Sequence, residues 1–250
     1  MPRILLLGDE QPWGDEMSMV SDRVVPHVAP RPADETFHPP LDLVSLHVPK
    51  ALGTSLREVL FAHYGRHRVA CDYETFLEDD RPDVRSEMSH RIPASATVLH
   101  GHFPAARYAA VPARCRIAFL REPIRRTVSH YFFWVNGEKH GNPLHDRVLD
   151  GRLGLLDFAG LPPIRRFYTE TIFGGCDPSS FDLIGVVEDL DRDWRRLRRL
   201  TGIAAPLPHL NRNGFPGYAD IVSKILADRT LMRMLRRILD DDIRFYERFL

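Results

Sequence analysis

Three short segments carry residue types whose spacing could do chemistry. In HVPKALGTSLREVL (residues 47–60), Lys50 stands three positions before Gly53, and Thr54 and Ser55 follow. A loop between a buried strand and a helix start holds backbone N–H groups with no intrahelical partner. With the helix dipole they make an anion site. Gly53 permits close approach of the backbone, the two hydroxyls donate hydrogen bonds, and Lys50 adds a full charge. Lys50 is one of three lysines among 34 basic residues, as expected where a compact point charge is needed. In LREPIRRTVSHYFFW (120–134), Arg121, Arg125 and Ser129 would share one i, i+4, i+8 face if helical geometry reached back to Arg121, and would suit a phosphate dianion. In HGHF (100–103), two imidazoles bracket a glycine, and an imidazole is a suitable general base at neutral pH.

The elements that must position these residues can be read from pattern. LDLVSLHV from Leu41 is a short apolar run consistent with a buried strand, and a helix with Thr54 as N-cap follows, its apolar positions Leu56, Val59, Leu60 and Tyr64. ATVLHGHF and CRIAFL give two more strands. The second leads into a helix through about Asn136, with Pro123 in its first turn and Ile124, Val128, Tyr131 and Val135 as its buried stripe. A helix is expected over 162–172, then a fourth strand in DLIGVVED, and a helix turning Leu190, Trp194, Leu197 and Leu200 inward. The last thirty residues read as helix, with Leu231, Leu235, Ile238, Phe245 and Phe249 at core spacing. Strand–helix alternation predicts an α/β fold: one P-loop-like, three-layer domain over 41–250 with a central, mainly parallel sheet flanked by helices. Residues 1–40 are proline-rich and read as an extension with one possible edge strand at Ile4–Leu7; residues 71–95 read as a surface excursion.

Composition narrows the function classes. The 34 basic and 34 acidic residues cancel, so no overall field favours nucleic acid. Three cysteines without CxxC spacing make neither a disulfide framework nor a zinc site. His63 and His67 have i, i+4 spacing but no HExxH, and read as solvated, so no metal is expected. No apolar run approaches the roughly 20 residues of a membrane span. A cytoplasmic, bacterial setting is expected, with a Golgi lumen only for a chain trimmed of an anchor.

The PKxxGTS loop resembles the 5′-phosphosulfate loop of sulfotransferases that use 3′-phosphoadenosine 5′-phosphosulfate (PAPS), whose carbohydrate branch often reads PKTGGTS. Ala51 and Leu52 replace Thr-Gly. The segment from Arg121 resembles the second signature of that family, with Glu122 for the usual Asp, and the resemblance assigns the 3′-phosphate to Arg121 and Ser129. Arg126 also matches a family position, where a structural ion pair is an equal reading. HGHF resembles the HGH of glycosaminoglycan uronyl 2-O-sulfotransferases, which implies His102 as the base and His100 as a substrate-side or orienting partner, although which of the two is the base stays open. The likeness extends to Glu188, at a strand end, and to Arg212 in HLNRNGFPG as a further nucleotide contact.

By this resemblance the nucleotide is held by Lys50, Ala51, Leu52, Gly53, Thr54, Ser55, Arg121, Ser129 and Arg212. Lys50 also stabilises the leaving 5′-phosphate, the acceptor is a hydroxyl of a glycan or glycosylated molecule, and PAP is the product. Phe103, Tyr108, Tyr131, Phe132, Phe133 and Trp134 could stack on a sugar, and a homo-oligomer is possible. Two other classes stay open: a P-loop kinase or NTPase, disfavoured because Lys50 precedes Gly53 rather than following it, and a non-catalytic PAP- or glycan-binding relative.

Overall fold

The computed structural model describes residues 40–73, 92–139, 142–207 and 216–250. The strands are β1 (Leu43–Leu46), β2 (Val69–Asp72), β3 (Val98–Gly101), β4 (Arg116–Leu120) and β5 (Leu183–Val186). They form one sheet in the order β2-β3-β1-β4-β5, and every pairing is parallel. The helices are α1 (Gly53–Tyr64), α2 (Pro123–Val135), α3 (Pro143–Asp150), α4 (Leu155–Ala159), α5 (Pro162–Arg165), α6 (Leu190–Thr201), α7 (Tyr218–Ala227), α8 (Arg229–Ile238) and α9 (Asp240–Glu247).

Strand parity divides the core. Leu43, Val98, Ile117, Phe119 and Leu183 face one side and pack with Leu56, Val59 and Leu60 of α1 and Leu197 of α6. Val44, Leu46, Leu99, Ala118, Leu120, Ile184 and Val186 face the other, against Phe167, Tyr168, Phe245 and Tyr246. Each fully buried side chain of this size contributes about 1.5–3 kcal/mol. The chain passes from β3 on one side of β1 to β4 on the other, the topological switch that leaves a crevice beyond a strand's carboxyl end. In open parallel sheets, ligands bind at such a place.

Several details differ from the sequence pattern. β2 falls where an excursion was expected to begin; its four residues are too few to show a period. The helix expected over 162–172 breaks at Arg166 (φ −123°, ψ 50°) into α5 and a π-helical segment, Phe167–Ile172. The C-terminal helix is three helices: Asp228 caps α8 by accepting from the Thr230 and Leu231 N–H groups, and Leu239 leaves helical geometry before α9. In α6, Leu200 is exposed and Asp193 takes a buried position, accepting the Val186 N–H at 2.8 Å. Asp193 satisfies a strand-end donor that leucine could not. The 1–40 extension, apart from Pro40, and most of the 71–95 excursion lie outside the described residues. Among the described residues, no helix is long and apolar enough to cross a membrane.

Candidate active site

Parity builds the imidazole cluster. His47 continues the Leu43, Ser45 side of β1, and His102 continues the Val98, His100 side of β3. Ser45 pairs with His100 in the parallel register, and the His47 N–H donates to the Gly101 carbonyl at 2.8 Å. All three rings therefore face α1. The His47 centroid lies 4.1 Å from that of His102 and 5.2 Å from that of His100, the latter pair stacked at 22°. His100 is fully buried and its Nδ1 is 2.9 Å from the Ser45 hydroxyl. His102 is only half-buried as a residue, and the Nε2 atoms of His100 and His102 are both buried with no hydrogen-bond partner among the described residues.

β2 holds this turn in place. The His102 N–H donates to the Asp72 carbonyl at 2.8 Å. The Asp72 carboxylate accepts from Arg107 (3.0 Å) and from the Tyr108 hydroxyl (2.8 Å) just beyond the turn. Gly101 is required here, because a Cβ would lie 1.7 Å from the Asp72 carbonyl oxygen. Tyr73 follows, and its hydroxyl reaches His47 Nδ1 at 3.2 Å.

Burial sets the charge of the cluster. It is the largest cause lowering His102 to about 3, ahead of the charges of Arg57 and Lys50. It likewise lowers His100 to about 3, ahead of His102 and Arg57. His47 and His130 are also held well below the ordinary value, again chiefly by burial. The native imidazoles are thus neutral where an unfolded histidine, near 6.5, becomes protonated. The unfolded chain binds more protons in that range, so stability falls as pH falls from about 6.5 toward about 3. Each imidazole charged only on unfolding costs about 1.4 kcal/mol per pH unit in that window. Urea unfolding at pH 7 and at pH 5 should show a fall of several kcal/mol; equal midpoints would contradict neutral burial.

The β1–α1 loop is strained. Lys50 and Leu52, neither of them glycine, have φ of 66° and 76°, a cost of about 1–2 kcal/mol each. Such strain concentrates at ligand sites. Leu52, not Thr54, is the N-cap of α1, and no side chain caps it. The Gly53, Thr54 and Ser55 N–H groups have no intrahelical acceptor by position. The Ala51 N–H, by contrast, donates to the Val48 carbonyl at 3.1 Å and the Ala51 side chain is buried, so Ala51 offers the loop no open donor, unlike the expectation from the sequence. Thr54 is half-buried and Ser55 is buried. The Lys50 ammonium lies 4.1 Å from the centre of the Phe133 ring.

Arg121 directly follows β4 beside this loop, with one guanidinium nitrogen 3.5 Å from the Lys50 carbonyl. Its backbone is clipped by Tyr168, whose hydroxyl accepts from the Arg121 N–H at 3.1 Å and donates to the Arg121 carbonyl at 2.5 Å. The π-helical segment carries Tyr168 and is itself capped by buried Asp242, which accepts from the Tyr168 and Thr169 N–H groups. Among the described residues, no carboxylate pairs with Arg121. The crevice therefore brings together a lysine, a guanidinium with no carboxylate partner among the described residues, helix-start N–H groups without a side-chain cap and a neutral imidazole. That combination suits an anion carrying more than one charged group, with a reacting centre near His102.

No protein-family model matches the chain, and no curated protein matches it. Solved structures do resemble it. A sulfotransferase from Alicyclobacillus acidocaldarius is 13% identical, covering 83% of this chain and 98% of its own, with a TM-score of 0.39. Mouse sulfotransferase SULT7A1, solved in complex with PAP, is 15% identical over 75% of this chain and 64% of its own, with a TM-score of 0.32. Likenesses this distant leave the chemistry to be argued from the crevice.

The remaining expected residues divide. The Arg121–Arg125–Ser129 face does not form, because α2 starts only at Pro123. Glu122 caps it, accepting from the Ile124 and Arg125 N–H groups. Arg125 is exposed and Ser129 is buried on α2. Glu188, at the end of β5, accepts from the Glu122 N–H (3.0 Å) and the Tyr246 hydroxyl (2.8 Å), bracing the start of α2. Arg126 is buried, 3.9 Å from the centre of the Phe167 ring, and bonds His130 and Thr127. Arg212 lies outside the described residues. Of the six aromatics considered for sugar stacking, Phe103, Tyr108, Phe132 and Trp134 are buried and Tyr131 is half-buried. Phe133 alone of the six is exposed. His63 and His67 are exposed on and just after α1. Sequence reading missed His47, Tyr73 and Tyr168; the polar residues Ser45 and His47, at alternate positions in Leu43-Val44-Ser45-Leu46-His47, were the available signal for His47.

Proposed function

We propose that this chain is a PAPS-dependent sulfotransferase that moves a sulfuryl group to a hydroxyl of a carbohydrate or glycoconjugate. The observation carrying the reading is the meeting of Arg121 with the Lys50 loop, whose lysine charge also acts on His102. The lysine and the arginine, distant in sequence, converge on one crevice as two phosphate groups of a single nucleotide would require. Arg121 takes the 3′-phosphate, and so excludes ATP, which lacks it. Lys50 and the N–H groups of Gly53, Thr54 and Ser55 take the 5′ end, with Thr54 adding its hydroxyl; Leu52 shapes the loop. Ser129 and Arg212 remain expected supports of the nucleotide.

The co-substrate supplies the sulfuryl group. The bond from sulfur to the acceptor oxygen forms as the bond from sulfur to the 5′-phosphate oxygen breaks. His102 takes the acceptor proton. Lys50 stabilises charge growing on the leaving phosphate, leaving Phe133 to do so and freeing that ring for the acceptor. His100, fully buried and bonded to Ser45, is the orienting partner in this reading, and its enclosure supports His102 as the base. Catalysis is mainly positioning and charge stabilisation, by analogy with phosphoryl transfer, and sulfate transfer presents less negative charge, so no metal is called for.

Thermal shift with PAP compared with Mg-ATP, followed by labelled PAPS with a mixed glycan panel, tests the reading. Stabilisation by PAP and transfer of label support it. Stabilisation by Mg-ATP alone indicates a kinase or NTPase, and PAP binding without turnover indicates a non-catalytic relative. Arg121→Ala should weaken PAP binding about 10–100-fold, the loss of charge-assisted hydrogen bonds worth about 1.5–3 kcal/mol. Calorimetry showing unchanged PAP affinity would remove Arg121 from the nucleotide site.

A further inference from the structure

We infer that His47 is a catalytic hydrogen-bond donor of this site, presenting Nε2–H to the sulfuryl group in transfer while Tyr73 holds its tautomer. The inference rests on the sulfotransferase reading and adds a residue that reading does not use. The ring is buried between the two arms of the crevice, with His102 on one side and the first residue of α1 on the other. Its Cδ2–Nε2 edge lies so close to Gly53 that a Cβ there would fall 1.5 Å from Cδ2 and 1.8 Å from Nε2. The Nε2 edge is thus at the helix start, among the free N–H groups of Gly53 and Thr54.

The other ring nitrogen decides which proton is carried. His47 Nδ1 is 3.2 Å from the Tyr73 hydroxyl. Burial, the largest cause, raises Tyr73 above the ordinary phenol value, so it stays a hydroxyl with a proton to give. A neutral imidazole accepting that proton at Nδ1 carries its own on Nε2. Burial keeps His47 neutral, assisted by the charges of His102, His100, Arg57 and Lys50. With its lone pair engaged by Tyr73, His47 cannot be the base. It can donate, and a fixed neutral donor aimed at oxygens that gain charge acts in the transition state. The division of labour in the cluster follows: His102 accepts a proton and His47 donates a hydrogen bond.

The test measures labelled PAPS turnover and PAP affinity for the wild type, His47→Ala, His47→Gln and Tyr73→Phe, with the His47 tautomer read from long-range 1H–15N spectra. PAP lacks the sulfuryl group, so it separates a donor to that group from a residue that shapes the nucleotide site. His47→Ala should lower turnover about 10²-fold with PAP affinity within about threefold. His47→Gln, whose amide N–H can replace Nε2–H, should recover much of that loss. The wild-type spectrum should show Nε2–H, and Tyr73→Phe should mix the tautomers. The inference is overturned by His47→Ala turnover within about threefold of wild type, by equal losses of turnover and PAP affinity, or by an Nδ1–H tautomer. If His47→Ala fails to fold by circular dichroism, His47→Gln and the wild-type spectrum decide. A wild type that neither binds PAP nor consumes PAPS defeats the sulfotransferase reading itself and this inference with it; a functional wild type that fails the other arms defeats the inference alone.

Discussion

His102→Ala is expected to lower sulfuryl transfer by about 10²–10⁴-fold, the usual contribution of a positioned general base, while leaving PAP affinity nearly unchanged. The position requires this split. His102 is half-buried as a residue, whereas His100 is fully enclosed and bonded through Nδ1 to Ser45; the Nε2 atoms of both are buried without a hydrogen-bond partner among the described residues. At about 3, His102 is a weak base in the free protein, held there first by burial and then by the charges of Arg57 and Lys50. An anionic nucleotide beside Lys50 offsets those cationic charges and raises the basicity of the ring where it is needed. The pH–rate profile should therefore show no histidine-like fall between pH 8 and 6, because the imidazole is already unprotonated throughout. His100→Ala should instead lower stability more than it lowers turnover per folded molecule. An active His102→Ala protein, or a His100→Ala protein that folds normally and is inert, would exchange the two roles.

The parts legible in the sequence were those encoded locally. β1 followed by α1, the HGH turn after β3, and Pro123 at the start of α2 all rest on patterns within a few residues. Lys50, Gly53 and Arg121 stood out because each occupies a strand-to-helix junction. What escaped depends on residues far apart. Tyr168 matters only because a π-helical segment brings its hydroxyl onto the backbone of Arg121. Tyr73 matters because β2 lies at the edge of the sheet and carries it to His47. Extending one helical face from Arg121 to Ser129 failed for a local reason: Glu122 caps α2 with its own carboxylate. That carboxylate occupies the N–H groups of Ile124 and Arg125, so of these two helix starts only that of α1 has no side-chain cap, and Arg121 lies in the loop before α2.

The second large effect is expected from Gly53→Ala, and helix propensity alone gives it the wrong sign. Alanine is favoured over glycine by about 1 kcal/mol inside a helix, and Gly53 does not have positive φ, so its backbone does not forbid a side chain. The obstacle is the His47 ring, with three of its atoms within 2.0 Å of the position a Cβ would take. That ring cannot swing away cheaply, because His100, His102 and Tyr73 enclose it. Overpacking of this kind costs about 1–3 kcal/mol and more where neighbours cannot yield, which outweighs the propensity gain. Gly53→Ala should therefore be destabilised in urea and should lose most of its turnover, since the displaced ring disturbs both His102 and the start of α1. The double variant Gly53→Ala, His47→Ala separates the causes. With the ring gone the new methyl has room, so the double variant should be more stable than Gly53→Ala alone, an interaction energy of about 1–3 kcal/mol. Strictly additive losses would show that the glycine is required for some reason other than the imidazole lying against it.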